Sequence, residues 1–483
     1  MPVSKKIIRT LIRFYAVIAV AAFMGCVLVG PDYAPPGTTV SGSWHAQLGS
    51  GLRHGETDPV KLAQWWTALN DPELTVLINR AAAGNLDLKQ AKARLREARA
   101  RRFIAGADQF PTLDATGTAT RSRSSENTGS GTTHTLYSAG FDAGWEIDVF
   151  GGVRRSVEAA EADLAASQED LHGVMVSLMA EVALNYIEVR TYQGRLATAQ
   201  ANLRNQEETY QLTQWRFKAG LSDELDVHQA RSSLESTRAR IPTLRTSLEE
   251  AKNRLTVLMG VQPGELHGEL EAIRPVPVVP LEVAVRVPAD VLRQRPDVRK
   301  AERELAAQTA RVGVATADLY PKLTLNGSIG FDALSTGDLL TADSRSYSYG
   351  PRISWRIFDA GAVRRNIEVQ SAKQEQALVT YESTVLSALE ETENALVAYA
   401  EEQHRRDSLL EAVRAAQQVL DLAQSKYQAG LIDFIALLDA QRSLLSYQDE
   451  LGISDGAVTS NLVRLYKALG GGWDIQMRAK ETN

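Results

Sequence analysis

The sequence predicts an α+β membrane protein in which one unit of strands and long helices occurs twice. Three observations lead to this fold class: matching positions at a constant offset of 210 residues, short segments of alternating polarity, and two 68-residue stretches without proline. A repeat defines the structural unit, so it is settled before any element is assigned. Each unit is expected to contain a helix, two strands and two long helices.

The N-terminal segment, residues 1–25, is predicted to be a signal peptide. Four basic residues are followed by an eleven-residue apolar run, 14–24. A helix that crosses a bilayer needs about 20 apolar residues, so this run has the length of a signal-peptide core. No later stretch reads as a membrane helix. We therefore expect an exported protein that would cross a membrane only with strands.

The only cysteine, Cys26, directly follows the apolar run. One cysteine excludes an intrachain disulfide and zinc sites of the multi-cysteine type. Gly25-Cys26 resembles the lipobox of bacterial lipoproteins, in which a small residue precedes an acylated cysteine. Phe23 and Met24 depart from the usual lipobox, so an incidental or buried cysteine remains the alternative. Residues 26–60 are predicted to form a lipidated, extended lead-in.

The internal repeat keeps its offset over about 170 residues, which chance does not easily produce. The matched landmarks are Phe110-Pro111 with Tyr320-Pro321, Trp145 with Trp355, Gly151 with Gly361, Val153-Arg154-Arg155 with Val363-Arg364-Arg365, Ala219-Gly220-Leu221 with Ala429-Gly430-Leu431, and Gly260 with Gly470. The predicted boundaries are 61–262 for the first repeat, 263–296 for a connector, 297–472 for the second repeat, and 473–483 for a C-terminal tail.

The strands are predicted from period-two alternation, as in "TLYSAGFDAGWEIDV", where apolar and polar residues occupy opposite faces. They are expected at about 111–124 and 135–149, and again at about 321–333 and 345–358. Such strands suit a transmembrane barrel with a wet lumen, although a soluble sheet lying on the helices would alternate in the same way. Four strands cannot close, and lipid does not tolerate open edges. A membrane barrel therefore requires several chains, each donating four strands.

The long helices are predicted for the proline-free stretches 152–219 and 362–429, each about 100 Å long if continuous. Two seven-residue rows in the second stretch predict coiled-coil-like packing. The first row is Leu378, Val385, Thr392, Tyr399, Arg406, Val413, Leu420 and Tyr427, and the second is Tyr381, Ala388, Ala395, Glu402, Leu409, Ala416 and Ala423. Thr392, Glu402 and Arg406 interrupt this seam. The six prolines of 263–296 predict an extended segment rather than a helix.

Composition and motifs exclude several classes of function. A net charge of -6 argues against nucleic acid as a partner, because that surface would need to be basic. The seven histidines are scattered, and the sequence lacks HExxH, Walker-type GxxxxGK[ST] and GxSxG motifs. We therefore expect no enzyme. A structural coiled-coil protein of the periplasm would explain the seam but not the symmetrically placed strands.

Several of these motifs together resemble one family. Gly25-Cys26, Val29-Gly30-Pro31-Asp32-Tyr33, the paired Phe110-Pro111 and Tyr320-Pro321, and "KYQAGLIDFIALLDAQRSL" from Lys426 are similar to NodT-type lipoproteins among the TolC-like outer-membrane factors. The resemblance covers nearly the whole mature chain. It implies a homotrimer whose twelve strands form one β-barrel through the outer membrane, continued by a long periplasmic α-helical barrel.

The same resemblance implies the outer-membrane channel of a tripartite, RND-type efflux pump. Such a channel is a passive exit duct for drugs or other small toxic molecules, and it partners a periplasmic adaptor protein and an inner-membrane transporter. No metal or cofactor is expected beyond the lipid on Cys26. A type I protein-secretion duct is the alternative with the same architecture.

Specific site residues also follow from the resemblance. The helix-tip turns that would meet the adaptor contain Phe217 and Gly220 in the first repeat and Tyr427 and Gly430 in the second. Asp439 and Arg442 resemble the constricting aspartate and the gate-linked arginine of the closed periplasmic end. The first repeat has Gln229 and Ser232 at these places, so an acidic ring would occur once per chain. From the residues alone, both charges are equally well explained as solvated positions on a helix face.

Overall fold

A computed structural model describes residues 28–37, 40–47, 49, 51–55, 59–277 and 283–473. The signal peptide predicted for 1–25 and the acylation predicted at Cys26 lie outside these residues, as does nearly all of the predicted tail. The chain divides into two compact units. The first unit comprises Met1–Gly37, Arg94–Gln168 and Lys300–Glu382, and the second comprises Thr38–Ala93, Glu169–Arg299 and Ser383–Asn483.

The order of elements confirms the predicted repeat of a helix, two strands and two long helices. The helices are α1 (Pro59–Ala63), α2 (Pro72–Gly84), α3 (Leu86–Ala107), α4 (Gly152–Lys218), α5 (Glu224–Leu258), α6 (Pro288–Gln294), α7 (Pro296–Ala317), α8 (Ala362–Gln428) and α9 (Phe434–Ala468). The strands are β1 (Leu52–His54), β2 (Thr112–Arg123), β3 (Thr133–Ile147), β4 (Val283–Val285), β5 (Lys322–Ala333) and β6 (Arg345–Ser354). Short 3-10 helices occupy Trp65–Leu69 and Ala342–Ser344.

The two longest helices, α4 and α8, each contain 67 residues without a break. The absence of proline allows every backbone N–H of their interiors to donate within the helix. Among the described residues, no helix combines the length and the apolar character needed to cross a bilayer.

The first unit contains a four-stranded antiparallel sheet in the order β2-β3-β5-β6. Thr112 faces Gly144 in the first hairpin, and Lys322 faces Ser354 in the second. These two pairs are separated by the repeat offset, so the duplication has produced the same hairpin twice. The apolar face of the sheet is not covered, since Leu113, Ile329 and Ile353 are all exposed. An exposed apolar face fits a sheet in lipid better than a sheet lying on helices.

One strand is shorter than its alternation suggests. The polarity pattern of the fourth strand continues to residue 358, but β6 ends at Ser354. The equivalent strand β3 continues to Ile147. Its last three residues pair with β5, the neighbour on the side away from its hairpin partner β2. Among the described strands, none pairs with the corresponding side of β6.

Most apolar positions of the seam predicted along α8 are buried, while Leu378 and Val413 are partly exposed. Val385, Thr392, Tyr399 and Leu420 are all less than a tenth exposed. The two charged interruptions form contacts with α9. Glu402 accepts a hydrogen bond from Ser454 Oγ at 2.5 Å, and Arg406 Nε donates to Asp455 Oδ1 at 2.6 Å.

The prediction that 263–296 is extended rather than helical is wrong near its end, where α6 forms. Pro288 occupies the first turn of α6, where the N–H that proline lacks has no partner within a helix. Just before it, β4 is extended and pairs in parallel with β1, with Leu52 facing Val283. The connector therefore contains ordered elements at both of these places.

Candidate functional site

Two helix tips in the second unit have the same backbone. α4 turns into α5 through Gly220, and α8 turns into α9 through Gly430, at φ values of +70° and +71°. The N–H of Leu221 donates to the Arg216 carbonyl at 2.8 Å, and the N–H of Leu431 donates to the Lys426 carbonyl at 2.9 Å. These bonds define Schellman motifs, in which the left-handed position favours glycine. The glycine spacing in the sequence therefore explains both turns.

The aromatic residues of the two turns differ in their burial. Phe217 is 43 % exposed, whereas the equivalent Tyr427 is 4 % exposed. The Tyr427 ring lies 5.6 Å from the Phe434 ring, centroid to centroid. The apolar cluster around them consists of Ala230, Ala416, Leu420, Ala423, Leu437, Leu438, Ala440 and Leu444. Only the second turn contributes its aromatic ring to the core.

Arg216 connects the first tip to the second. Its guanidinium carbon lies 4.6 Å from the centre of the Tyr427 ring, and its Nη1 donates to the Tyr427 carbonyl at 3.3 Å. A cation over an aromatic face is attracted by the ring quadrupole. Burial raises the pKa of the Tyr427 phenol, so the ring stays neutral. Arg216 is not among the site residues predicted from the sequence, although Lys426 at the equivalent place shows that both repeats have a cation here.

An acidic group lies beside Arg216. Asp223 caps the start of α5, and its carboxylate accepts from the N–H of Asp226 at 3.0 Å. Burial, and then the charges of Asp223 and Asp433, raise the pKa of Asp226, while Arg216 opposes the shift. Asp223 and Asp433 are equivalent in the two repeats. In the sequence, this acidic group is indicated by an aspartate that occurs three residues after the turn glycine in both repeats.

Asp439 and Arg442 lie on α9, one turn apart, and both side chains are exposed. They share the outward stripe of α9 with Ile435, which is 51 % exposed. Within the described residues, neither side chain forms an ion pair or a hydrogen bond. The structure thus brings these two residues to one face of one helix and does not join them to the turn residues.

A row of polar pairs joins α4 to α9 away from the tips. The pairs are Thr209 with Gln441 at 2.8 Å, Asn202 with Gln448 at 2.8 Å, and Arg195 with Asp449 at 2.8 Å. The α4 residues follow a seven-residue spacing, so they lie along one stripe. They border a cavity of about 800 Å³. The seven-residue spacing in the sequence indicates the polar stripe on α4. It does not identify the α9 partners, which lie more than 200 residues away along the chain.

The first described residues after Cys26 are held by Arg155, whose side chain is 3 % exposed. Arg155 donates to the Val29 carbonyl at 3.2 Å and to the Asp32 carboxylate at 2.6 Å. Gly30, with φ of +87°, passes so near Gly313 that an added Cβ would lie 2.4 Å from its Cα. Glycine is therefore required at position 30, both for conformation and for space.

The rest of the lead-in bonds to residues from the second half of the chain. Tyr33 Oη donates to Glu302 at 3.1 Å, and Trp44 Nε1 donates to the Arg286 carbonyl at 2.6 Å. The backbone N–H groups of residues 45 and 46 donate to the Glu393 carboxylate at 2.7 and 3.0 Å. Burial and the Glu302 charge raise the pKa of the Tyr33 phenol. The described part of the lead-in is thus fixed by specific hydrogen bonds at Tyr33 and at residues 44–46.

In the part of the chain that the structure describes, no group of three or more His, Cys, Asp or Glu side chains is placed to hold a metal ion. The acidic group at the tip has Arg216 as its counter-charge. The chemistry of the tips is therefore that of weak ionic and aromatic contacts.

Comparisons with known proteins agree with this architecture. The chain matches the family "Outer membrane efflux protein" over residues 77–261 and 287–471. It is 36% identical over 428 residues to Nodulation protein T of Rhizobium leguminosarum bv. trifolii, a match that covers 88% of this chain and 90% of that protein. It is 34% identical over 457 residues to the pyoverdine export outer membrane protein OpmQ of Pseudomonas aeruginosa, covering 93% and 95% of the two chains.

A solved structure, that of the outer-membrane channel OprN, superposes with a TM-score of 0.88 at 37% identity and covers 92% of this chain and 100% of that one. The predicted resemblance to NodT-type outer-membrane factors is confirmed, as is the prediction of a transport protein rather than an enzyme or a coiled-coil scaffold. The two family matches coincide with the two structural repeats. The chain belongs to the outer membrane efflux protein family and is the outer-membrane channel component of a bacterial efflux pump.

Proposed function

We propose that three copies of the chain form one exit duct, with twelve strands closed into a barrel through the outer membrane. The observation that carries this proposal is the four-stranded sheet, in which β2 and β6 each have an edge that pairs with no other described strand. A strand needs about 9–11 residues to cross a bilayer, and β2, β3, β5 and β6 contain 10 to 15. Open edges are costly in lipid, so copies that pair edge to edge remove that cost.

The duct works within a tripartite, RND-type pump, with a periplasmic adaptor protein and an inner-membrane transporter as partners. The exposed apolar residues of the tips support an adaptor contact there. Trp215, Phe217, Leu221 and Leu431 are between 43 % and 73 % exposed, and the turns at Gly220 and Gly430 present them. Large exposed apolar side chains that lie together mark sites of protein association.

The cargo is a drug or another small toxic molecule, which passes without chemical change. One relative of this chain is named for pyoverdine export, which supports a low-molecular-weight cargo over a secreted protein. Cys26 would carry the lipid that directs the chain to the outer membrane, after cleavage of the signal peptide 1–25. Val29 and Asp32, just after it, are held at Arg155, so the anchor would lie close to the folded chain.

Asp439 and Arg442 are the gate residues of this proposal. Both are exposed on α9, the helix that begins at the buried Phe434, and neither has a partner in the described part of its own chain. In a trimer, three copies of each charge would approach one axis and restrict the passage. Exposed ion pairs contribute about 0–1 kcal/mol each, so such a gate would be closed by several weak contacts.

The test is single-channel conductance of the purified protein in planar bilayers, together with its mass in detergent. We expect a mass of three chains, and we expect Asp439→Ala and Arg442→Ala to raise the open probability about two- to fivefold. The matched controls are Gln229→Ala and Ser232→Ala, at the equivalent places of the first repeat, which should leave it unchanged. A mass of one chain would overturn the trimer, and wild-type conductance in both α9 variants would overturn the gate.

A further inference from the structure

The apolar face of the four-stranded sheet carries charge at one end. The strands pair residue by residue without a bulge, so the odd-numbered residues of all four share this face. Ile329 and Ile353 are among its exposed apolar members. Within the described strands, the charged residues of this face are three arginines and no carboxylate. These rim arginines are Arg121, Arg123 and Arg345.

The rim arginines lie at the end of the sheet away from the long helices. Arg121 and Arg123 end β2, just before the hairpin loop 124–132, and Arg345 begins β6, just after the loop 334–344. The opposite end of the sheet adjoins the helices, since α3 leads into β2 and β6 is followed by α8. In the proposed duct the helices are periplasmic, so the rim arginines lie at the outer surface of the membrane.

Their position along the strands matches the edge of a bilayer. On β3, the apolar face runs from Ile147 to Tyr137, which is about the 9–11 residues that a strand needs to cross. Arg121 lies one position beyond Tyr137 on the same face. On β6, Arg345 lies one position beyond Tyr347. Aromatic residues mark the boundary between lipid and water, so both arginines lie at head-group level.

The two ends of the apolar face differ in charge. The end near the helices carries Leu113, Trp145 and Leu323, and no charged residue of the described strands lies on this face there. Arginines that merely extend from lipid into water would suit either boundary. A restriction to the outer boundary therefore indicates an anion that the outer leaflet alone supplies. The outer leaflet of a bacterial outer membrane consists largely of a glycolipid whose lipid A part carries phosphate groups.

Two of the rim arginines lack a counter-charge in their own chain. Within the described residues, neither Arg121 nor Arg345 forms an ion pair or a side-chain hydrogen bond. Arg123 donates to the Gly131 carbonyl at 3.1 Å and pairs with Glu126 at 3.2 Å, and both charged side chains are more than half exposed. An exposed pair of this kind is weak, so Arg123 can also turn to a stronger anion.

We propose that the rim arginines bind the phosphate groups of lipid A in the outer leaflet. The planar guanidinium can donate two parallel hydrogen bonds to a phosphate. The acyl chains of the lipid would lie along the apolar face, where Ile329 is 65 % exposed. Since β2 and β6 are the edges of the sheet, closure of the barrel would bring Arg345 of one copy to the junction with β2 of the next. The proposal rests on the proposed duct and names the lipid at its outer rim.

The first test compares lipids on the unchanged protein. The full chain in detergent is mixed with purified diphosphorylated lipid A, with lipid A stripped of both phosphates, or with phosphatidylglycerol, and native mass spectrometry measures the bound lipid. We expect the diphosphorylated form to bind at least about tenfold more tightly than the stripped form. Equal binding of those two forms would overturn the proposal. Equal or tighter binding of phosphatidylglycerol would assign the arginines to anionic phospholipid and would also overturn it.

The second test removes single charges. Arg121→Gln and Arg345→Gln should each weaken binding of diphosphorylated lipid A about fivefold, since a cation near a membrane surface contributes about that factor. Arg345→Lys keeps the charge and should stay within about twofold of the parent. The matched control is Arg352→Gln, which removes the same charge from the same strand. Arg352 lies on the polar face of the sheet, so its loss should change binding less than about twofold.

The outcomes separate this proposal from the proposed function. A parent chain of one-chain mass would refute the trimeric duct, yet lipid binding that still depended on phosphate and on Arg121 would leave the lipid site standing. A trimer in which Arg352→Gln weakens binding as much as Arg345→Gln would keep the duct and refute the lipid site. If a glutamine variant fails to fold, the comparison of lipids on the parent chain still decides.

Discussion

The two helix tips have one backbone and two different environments. Both turn through a glycine at a φ near +70° with the same pair of Schellman bonds. Yet Tyr427 is buried in the second tip, while Phe217 is 43 % exposed in the first. The duplicated backbone has been kept, and the side chains have diverged. The second tip has an aromatic core, and the first presents its aromatic ring to solvent.

In the contact between the tips, only the first tip contributes its cation. Arg216, from the first tip, lies over the Tyr427 ring of the second, whereas the equivalent Lys426 is exposed. Asp439 and Arg442 in the second repeat replace Gln229 and Ser232 in the first. In the proposed trimeric duct, the second tip would close the passage, and the first would present its exposed aromatic ring to a partner.

The largest effect is expected from removing the buried ring. Tyr427→Ala should destabilise the second tip by about 3 kcal/mol, because it leaves a cavity beside Phe434. Hydrogen exchange of the amides in 420–444 should quicken strongly. Phe217→Ala is the matched control and should change the stability of the first tip by less than about 0.5 kcal/mol. Equal effects of the two substitutions would contradict the difference in burial.

A smaller effect is expected from the turn glycines. Gly220→Ala and Gly430→Ala should each cost about 1–2 kcal/mol, because a Cβ in the left-handed region approaches the next carbonyl. Both sites are open, with no atom within 4 Å of an added Cβ, so the cost comes from the backbone alone and should be equal. Local exchange at the two tips measures it.

Gly260→Ala is the comparison for the turn glycines. There an added Cβ would lie 2.4 Å from the Gly84 carbonyl oxygen. Gly260→Ala should therefore lower the free energy of unfolding more than Gly220→Ala or Gly430→Ala does, as measured by thermal unfolding. A clear difference between Gly220→Ala and Gly430→Ala would mean that the two backbones are not equivalent in solution.

The smallest effect concerns Asp226, which has Ala436 as its counterpart in the second repeat. Burial and the nearby Asp223 and Asp433 raise its pKa, so the folded tip binds the proton more tightly than the unfolded chain does. Ionisation of Asp226 therefore costs stability above that pKa, and the first tip should gain stability as the pH falls toward it.

Asp226→Asn should slow exchange at the first tip up to about twofold at pH 7 and weaken its dependence on pH. Glu224→Gln, on the same turn of α5 with a side chain that is 75 % exposed, is the control and should change the profile less than Asp226→Asn does. A profile that is the same in the wild type and in Asp226→Asn would show that Asp226 does not control it.

Much of the fold could be predicted because its determinants are local in sequence. Period-two alternation indicated the strands, and the lack of proline indicated α4 and α8. The helix α6 was missed because proline excludes most helical positions but fits the first turn, where Pro288 lies. The end of β6 at Ser354 was missed because strand length depends on a neighbour, which alternation does not report.

At the tips, the turns could be predicted and their contacts could not. Gly220 and Gly430 are visible as spaced glycines, but the approach of Arg216 to Tyr427 joins residues 211 positions apart. Nothing in the local pattern distinguishes Phe217 from Tyr427, since both are large aromatic residues in the same motif. Their burial depends on the apolar cluster that forms around Phe434.

The pairing of β1 with β4 has a consequence for the timing of folding. Leu52 faces Val283, residue 44 bonds to residue 286, and residues 45 and 46 bond to Glu393. During synthesis and export from the N-terminus, this segment emerges long before its partners exist. It must stay unpaired until the second repeat follows, since contacts of such sequence separation form late. The N-terminal segment, first to arrive, is thus among the last to dock, and a chain that stops after one repeat leaves it loose.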